Sequence, residues 1–200
     1  MAALSPTRFL LIAQVQYLTP QRGPDHYCLE QGAHMLDRNG PLKGLRVVEM
    51  AGLGPAPFAC MMLADMGAQV VRIARPGQKP LFGMAQKHNL YDRSRQTVTL
   101  DLRAPGDHAS ACALIERAEV LVEGFRPGVM ERLDLGPDAM QVRNPALVYG
   151  RMTGWGQDGP LADRAGHDLT YMAISGALWS IGPEGLPPPP PQNIIADLAG

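Results

Sequence analysis

The stretch from Leu45 to Ile73 limits the possible folds more than any other part of the chain. Leu45-Arg-Val-Val-Glu-Met50 is short, apolar and rich in β-branched residues, and reads as a buried strand. A glycine- and proline-rich turn follows, Ala51-Gly-Leu-Gly-Pro-Ala-Pro57. Phe58-Ala-Cys-Met-Met-Leu-Ala-Asp65 then reads as a helix, with Gly67 placed to cap its end. Gln69-Val-Val-Arg-Ile73 is the second strand. Two strands joined through a helix pair in parallel, with a right-handed crossover.

The alternation continues. Thr97-Val-Thr-Leu-Asp101 reads as a strand, and Asp107 as the cap of a helix running to about Arg117. Val120-Leu-Val122 and Leu147-Val-Tyr149 read as further buried strands, with short helices near 128–133 and 137–143 between them. After Gly166 the pattern is helical to about Leu178. The expected fold class is α/β: an open, mostly parallel, Rossmann-like sheet flanked by helices. Pro187 to Pro191 is a run of five prolines. It excludes helix and central strand, and reads as an extended connector that spaces the segment after it.

Residues 1–40 differ from the rest, with scattered prolines and glycines and no sustained period. They read as a loosely packed extension, and 41–200 as the organised domain. The chain stops at Gly200 after an apolar run, which reads as the first part of a longer domain. Phe9 to Val15 is apolar, yet Gln14 interrupts it and no clear cleavage site follows, so the expected location is the cytoplasm. No apolar run approaches the roughly 20 residues that span a bilayer.

Composition excludes some partners. The formal net charge is −1, which gives no general attraction to nucleic acid or to an anionic membrane. Cys28, Cys60 and Cys112 are odd in number and widely spaced, so free thiols are expected, not a disulfide framework or a zinc site. Of 18 basic side chains only Lys43, Lys79 and Lys87 are lysine. Arginine suits bidentate contact with phosphate, and several arginines stand at strand ends. Arg72 and Arg75 follow one strand, Asp101-Leu-Arg103 closes another, and Glu123-Gly-Phe-Arg126 closes a third, with Arg132 a turn further on. Ligands of open α/β sheets gather at the carboxyl ends of the strands, so a phosphate-bearing ligand fits this distribution. Gly52-Leu-Gly54 lacks the third glycine of a dinucleotide fingerprint, because Pro57 stands in its place. It reads either as a tight strand-to-helix turn or as a ligand-facing loop.

Two residues carry possible proton chemistry. His167 follows a glycine at an expected helix start, where the helix dipole disfavours the charged imidazolium. Asp168 beside it reads as a helix cap. Asp197 is the lone acid in the apolar segment Asn193-Ile-Ile-Ala-Asp197, and reads either as a carboxyl tuned by burial or as the cap of a following helix. Met152, Tyr171, Met172 and Trp179 read equally as pocket lining and as core.

Taken together, several segments resemble the family III CoA-transferases of the CaiB/BaiF type, and among them the α-methylacyl-CoA racemases. The anchors are Pro41-Leu-Lys-Gly-Leu-Arg-Val-Val-Glu49, Gly67-Ala-Gln-Val-Val-Arg-Ile-Ala-Arg-Pro76, Glu123-Gly-Phe-Arg-Pro-Gly-Val129, Arg132-Leu-Asp-Leu-Gly-Pro137, Arg151-Met-Thr-Gly-Trp-Gly-Gln-Asp-Gly-Pro160, Gly166-His-Asp168 and Asn193-Ile-Ile-Ala-Asp197. The likeness covers roughly Pro41 to Gly200. It implies the large domain of that fold, with a second, smaller domain outside this chain.

The resemblance implies roles residue by residue. Arg75, Leu100, Asp101, Leu102, Arg103, Gly124, Phe125, Arg126 and Arg132 would contact coenzyme A. Gly166, Asp168, Leu169, Thr170 and Tyr171 would hold the thioester, with His167 and Asp197 as the proton-transfer pair. The implied partner is an acyl-CoA thioester, bound by an interlocked homodimer. The implied reaction inverts the α-carbon of a 2-methylacyl-CoA and uses no metal or separate cofactor, coenzyme A being part of the substrate. The transferase branch of the family would instead use Asp197 as a nucleophile. A further reading is a chain that binds coenzyme A without catalysis.

Overall fold

The computed structural model describes residues 39–78, 89–192 and 194–199. Most of the 1–40 extension, with Phe9–Val15 and Cys28, lies outside the described residues. Five strands form one sheet: β1 (Arg46–Met50), β2 (Gln69–Ala74), β3 (Gln96–Thr99), β4 (Val120–Glu123) and β5 (Val148–Arg151). All pairings are parallel and the order is β3-β2-β1-β4-β5. The expected open parallel α/β sheet is the architecture observed.

Helices cover both faces: α1 (Pro55–Asp65), α2 (Pro105–Glu116), α3 (Val129–Arg132), α4 (Pro137–Arg143), α5 (Asp168–Ser175) and α6 (Ala196–Ala199). Successive β1 residues point to opposite faces. Val47 packs with Ala56, Cys60 and Ala64 of α1. Val48 and Met50 pack with Ala111, Cys112 and Ile115 of α2 and with Met140 of α4. A strand buried on both sides has no polar face to show, which is why β1 reads as an apolar run and not an alternation. The alanines and cysteine of α1 are small enough to bring that helix close onto the sheet. The order of strands reverses between β1 and β4, and the crevice at such a reversal is where open α/β sheets place their ligands.

Element ends show where side chains outside the local sequence intervene. Helix α1 begins three residues before the expected Phe58, because Pro55 at its first position already carries a helical φ. Gly67, at φ +102°, turns the chain toward β2, and its Cα side lies against Gly40. The expected helix from Gly166 to Leu178 is shorter: α5 ends at Ser175, where Gly176 takes a left-handed φ of +79°. Asp107 does not cap its own helix. Its Oδ2 accepts the backbone N–H of Asp101 at 2.7 Å and so ties the end of β3 to α2. The proline run is neither helix nor strand, as expected, and Pro188 packs on Gly182.

No helix among the described residues is long and apolar enough to cross a membrane. Among the same residues no group of three or more His, Cys, Asp and Glu is placed to hold a metal ion. Cys60 and Cys112 are free and buried. Burial, reinforced by the nearby Glu49 carboxylate, pushes the Cys60 thiol up to about 12, so Cys60 is a packing residue and not a nucleophile.

Candidate active site

Four segments converge at the carboxyl end of the sheet. The first is the loop from β1 into α1. Of the first three residues of α1, Pro55 and Pro57 have no N–H, which leaves Ala56 alone with a donor. A phosphate cradled on this helix start would find a single amide where dinucleotide folds offer several. Of the two readings left open for Gly52-Leu-Gly54, the tight turn is the one this geometry favours.

The second segment leaves β4. A Cβ on Gly124 would stand 3.4 Å from the Ala56 Cβ, so this loop passes directly over the start of α1. Glu123, fully buried, holds the loop in shape. Its Oε2 accepts the N–H of Phe125 at 2.7 Å, and its Oε1 accepts Arg151 Nε at 2.9 Å. The other nitrogens of Arg151 donate to Glu131, whose carboxyl they hold below the usual range. Beyond Phe125 the chain turns outward at Arg126, an exposed side chain whose guanidinium donates to the Asp163 carbonyl.

The third segment is α5 with its approach. His167 is the N-cap of α5, and its carbonyl accepts the N–H groups of Thr170 and Tyr171 at 2.8 and 3.1 Å. The His167 side chain is exposed. Tyr171 projects back toward the preceding loops. A Cβ on Gly154 or on Gly166 would fall 2.0 or 2.3 Å from its hydroxyl oxygen, so only glycine fits at both positions. Trp155 meets the Tyr171 ring edge-on at 5.0 Å between centroids. Burial raises the Tyr171 hydroxyl above its usual range, the Asp197 carboxylate raises it further, and Arg126 opposes the shift. Arg126 and Asp197 therefore each lie within electrostatic reach of Tyr171.

The fourth segment is α6, which packs against both α1 and α5. Asp197 is half-buried within it. Asp168 is the acidic residue of the first turn of α5, and among the described residues its carboxylate makes no hydrogen bond to that turn. Its Oδ1 instead accepts the backbone N–H groups of Ala196 and Asp197, at 2.5 and 3.1 Å. The cap expected from the sequence exists, but it serves the other helix. The bond joins the residue after His167 to Asp197 itself.

The remaining positions fall into two groups. Arg75 follows β2, whose Ala74 carbonyl accepts the Leu100 N–H at 2.9 Å, so Arg75 and the 100–103 turn are neighbours at one sheet edge. Asp101 shapes that turn by accepting the Arg103 N–H at 3.1 Å. Leu100 is buried and Leu102 half-buried, whereas Arg75, Asp101 and Arg103 are exposed. Exposed Arg132 lies against Gly128, beside the β4 loop. Leu169 and Thr170 are exposed on the first turn of α5. Arg72 leaves the set of phosphate candidates. It lies inside β2, donating to Thr97 Oγ1 at 3.2 Å and paired with Asp92. Of the four residues read equally as lining or core, Met172 is core at 4% exposure and Trp179 is 73% exposed. Met152 packs against the α1-side core, and Tyr171 is half-buried.

Sequence reading missed Glu49 and Arg95, which are paired, with side chains 0% and 1% exposed. Arg95 also donates to the Pro57 carbonyl at 3.0 Å and so pins the first turn of α1. It missed Glu123 in the same way. The available signal in both cases was a single acid at the end of an otherwise apolar strand.

Comparison with known proteins shows the family of the chain. The model of CoA-transferase family III matches residues 42–200. The chain is 45% identical over 164 residues to the α-methylacyl-CoA racemase of Homo sapiens, covering 80% of this chain and 40% of the relative. It is 33% identical over 170 residues to the acetyl-CoA:oxalate CoA-transferase of Acetobacter aceti, covering 80% and 44%. A crystal structure of a CAIB/BAIF family protein from Brucella suis superposes with a TM-score of 0.70 at 28% identity, over 80% of this chain and 46% of that one. The chain thus spans less than half the length of these relatives.

Proposed function

The chain belongs to CoA-transferase family III, and from that premise we propose that it forms the large-domain part of an acyl-CoA racemase or epimerase. The substrate would be a 2-methylacyl-CoA thioester, with coenzyme A as its handle and no separate cofactor. The arginines at the sheet ends (Arg75, Arg103, Arg126 and Arg132) would take the phosphates and nucleotide. The Gly166–Tyr171 segment, the approach and first turn of α5, would hold the thioester.

The observation that carries the reading is the joint placement of His167 and Asp197. One caps α5, the other lies in α6, and the carboxylate of Asp168 ties the two helices together. Inversion at a carbon next to a thioester requires a proton to leave one face and another to arrive on the opposite face. Neutral His167 would remove the α-proton, and the bonding pair would move into the thioester to give an enolate. Protonated Asp197 would then deliver a proton to the other face. The cycle ends with imidazolium and carboxylate, which is the starting state for the reverse epimer. The backbone N–H groups of Asp168 and Leu169 at the start of α5 would stabilise the enolate oxygen. We further propose that the working enzyme is a homodimer.

Incubation with each epimer of a 2-methylacyl-CoA in deuterium oxide tests the reading. The expected result is deuterium at the α-carbon with formation of the opposite epimer, abolished in Asp197→Asn and in His167→Gln for the face each serves. Failure of deuterium to enter either epimer overturns it. The alternative within the family is acyl transfer through Asp197. Hydroxylamine capture of an acyl group from the protein, together with no α-exchange, would establish that alternative.

A further inference from the structure

We propose that Asp168 is the positioning residue of the proton-transfer pair: its carboxylate holds α6, and with it Asp197, at a set distance from the thioester loop. The inference rests on the reading above and assigns Asp168 a task other than holding substrate.

Three observations lead to it. Asp168 is the first residue of α5 and directly follows His167, yet the hydrogen bonds of its side chain go to another helix. Its Oδ1 accepts two consecutive amides across 28 residues of sequence, those of Ala196 and Asp197. Helix α6 is a single turn, and one turn has little stability of its own, so an external acceptor decides whether it keeps its shape. An ionised carboxylate accepting backbone N–H groups at a helix start is a strong, charge-assisted arrangement. One of the two amides belongs to the residue proposed to move the proton. Motion of Asp168 is therefore transmitted to the Asp197 backbone without any intervening side chain.

Position matters here because proton transfer is sensitive to it: a displacement of about 1 Å can lower a rate by roughly 100-fold. His167 depends on Asp168 differently. Its backbone is set by the hydrogen bonds that its carbonyl accepts from Thr170 and Tyr171, which do not involve the Asp168 side chain. Removal of the carboxylate should then harm one face of the substrate more than the other. A merely structural role would slow both faces alike.

The experiment uses Asp168→Ala and Asp168→Asn in the full-length protein, with two readouts. In deuterium oxide, wild-type protein exchanges the α-proton of both epimers. In Asp168→Ala, exchange from the epimer whose proton faces Asp197 should fall by about 100-fold, while exchange from the epimer facing His167 should fall far less. Asp168→Asn keeps an oxygen acceptor and should recover most of the loss. Hydrogen exchange at the Ala196 and Asp197 amides supplies the second readout, which needs no activity. Protection should be lost in Asp168→Ala and retained in Asp168→Asn. Equal slowing of both epimers, or unchanged amide protection in Asp168→Ala, overturns the inference. Absence of exchange in the wild type overturns the proposed function and the catalytic part of this inference with it. In that case the amide readout still separates a failed reaction from a failed hydrogen bond.

Discussion

Glu123 and Arg151 meet at the end of β4 and β5, Nε donating to Oε1 at 2.9 Å, with the Glu123 side chain 1% exposed. The second Glu123 oxygen accepts the Phe125 N–H, so one carboxylate both closes a buried ion pair and shapes the loop that leads to Arg126. Truncation in Glu123→Ala strands both partners. The expected cost is about 1–3 kcal/mol, because the Phe125 N–H and Arg151 Nε each lose their acceptor while Arg151 keeps Glu131 as a counter-charge. Urea unfolding measures it, and a loss below about 1 kcal/mol would be inconsistent with this role. Glu123→Gln keeps an acceptor for Phe125 and should lose less.

The fit of Tyr171 against Gly154 predicts a clash that a second substitution relieves. Gly154→Ala places a methyl 2.0 Å from the Tyr171 oxygen. Overpacking of this kind costs about 1–3 kcal/mol. Tyr171→Phe removes the oxygen that is struck first, so the double variant should be more stable than the sum of the two single losses. Thermal unfolding of the four proteins gives that coupling energy directly. Additive losses would show that the hydroxyl does not fill that space.

Glu49 makes stability depend on pH in an unusual direction. Burial pushes its carboxyl up from 4.5 to about 7, and Arg95 only partly opposes the shift. A carboxyl that binds its proton more tightly folded than unfolded favours the native state at low pH. Its contribution is fully present below about 4.5 and is lost as pH rises through about 7. Between these values Glu49→Gln should flatten the fall in stability that the wild type shows with rising pH. Chemical unfolding at pH 5 and pH 7.5 tests this. An identical pH slope in both proteins would count against it.

Arg126 already donates to the Asp163 carbonyl, which fixes its guanidinium and leaves its remaining donors free. Lysine has no planar fork to serve a carbonyl and a phosphate together. Arg126→Lys is expected to weaken coenzyme A binding by about tenfold, the worth of one charge-assisted hydrogen bond, with little change in unfolding free energy. Calorimetric titration with coenzyme A reads the affinity. Unchanged binding would remove Arg126 from the proposed phosphate contacts.

The sheet was legible because its chemistry is local. Apolar β-branched runs such as Arg46–Met50 and Gln69–Ala74 have no plausible state other than a strand covered on both sides. The glycine after Ser175 ended α5 earlier than the apolar pattern did, since left-handed backbone overrides side-chain periodicity. What stayed hidden was partnership across distance. Arg72 looked free at a strand end until Asp92, 20 residues away, was seen to take its charge. Asp168 read as the cap of the nearest helix, because nothing nearby announces that its acceptor oxygen belongs to α6. Buried Glu49 and Glu123 carried a visible signal, an acid closing an apolar strand, but their cations lie 46 and 28 residues away.

The link from Asp168 to α6 also changes what the residues between them have to do. A proline run just before an important aspartate looks like a measured spacer. With α6 fastened directly by Asp168, the stretch around Gly182 and Pro188 does not alone set where that helix lies. A change of length there should therefore displace α6 less than loss of the Asp168 carboxylate would.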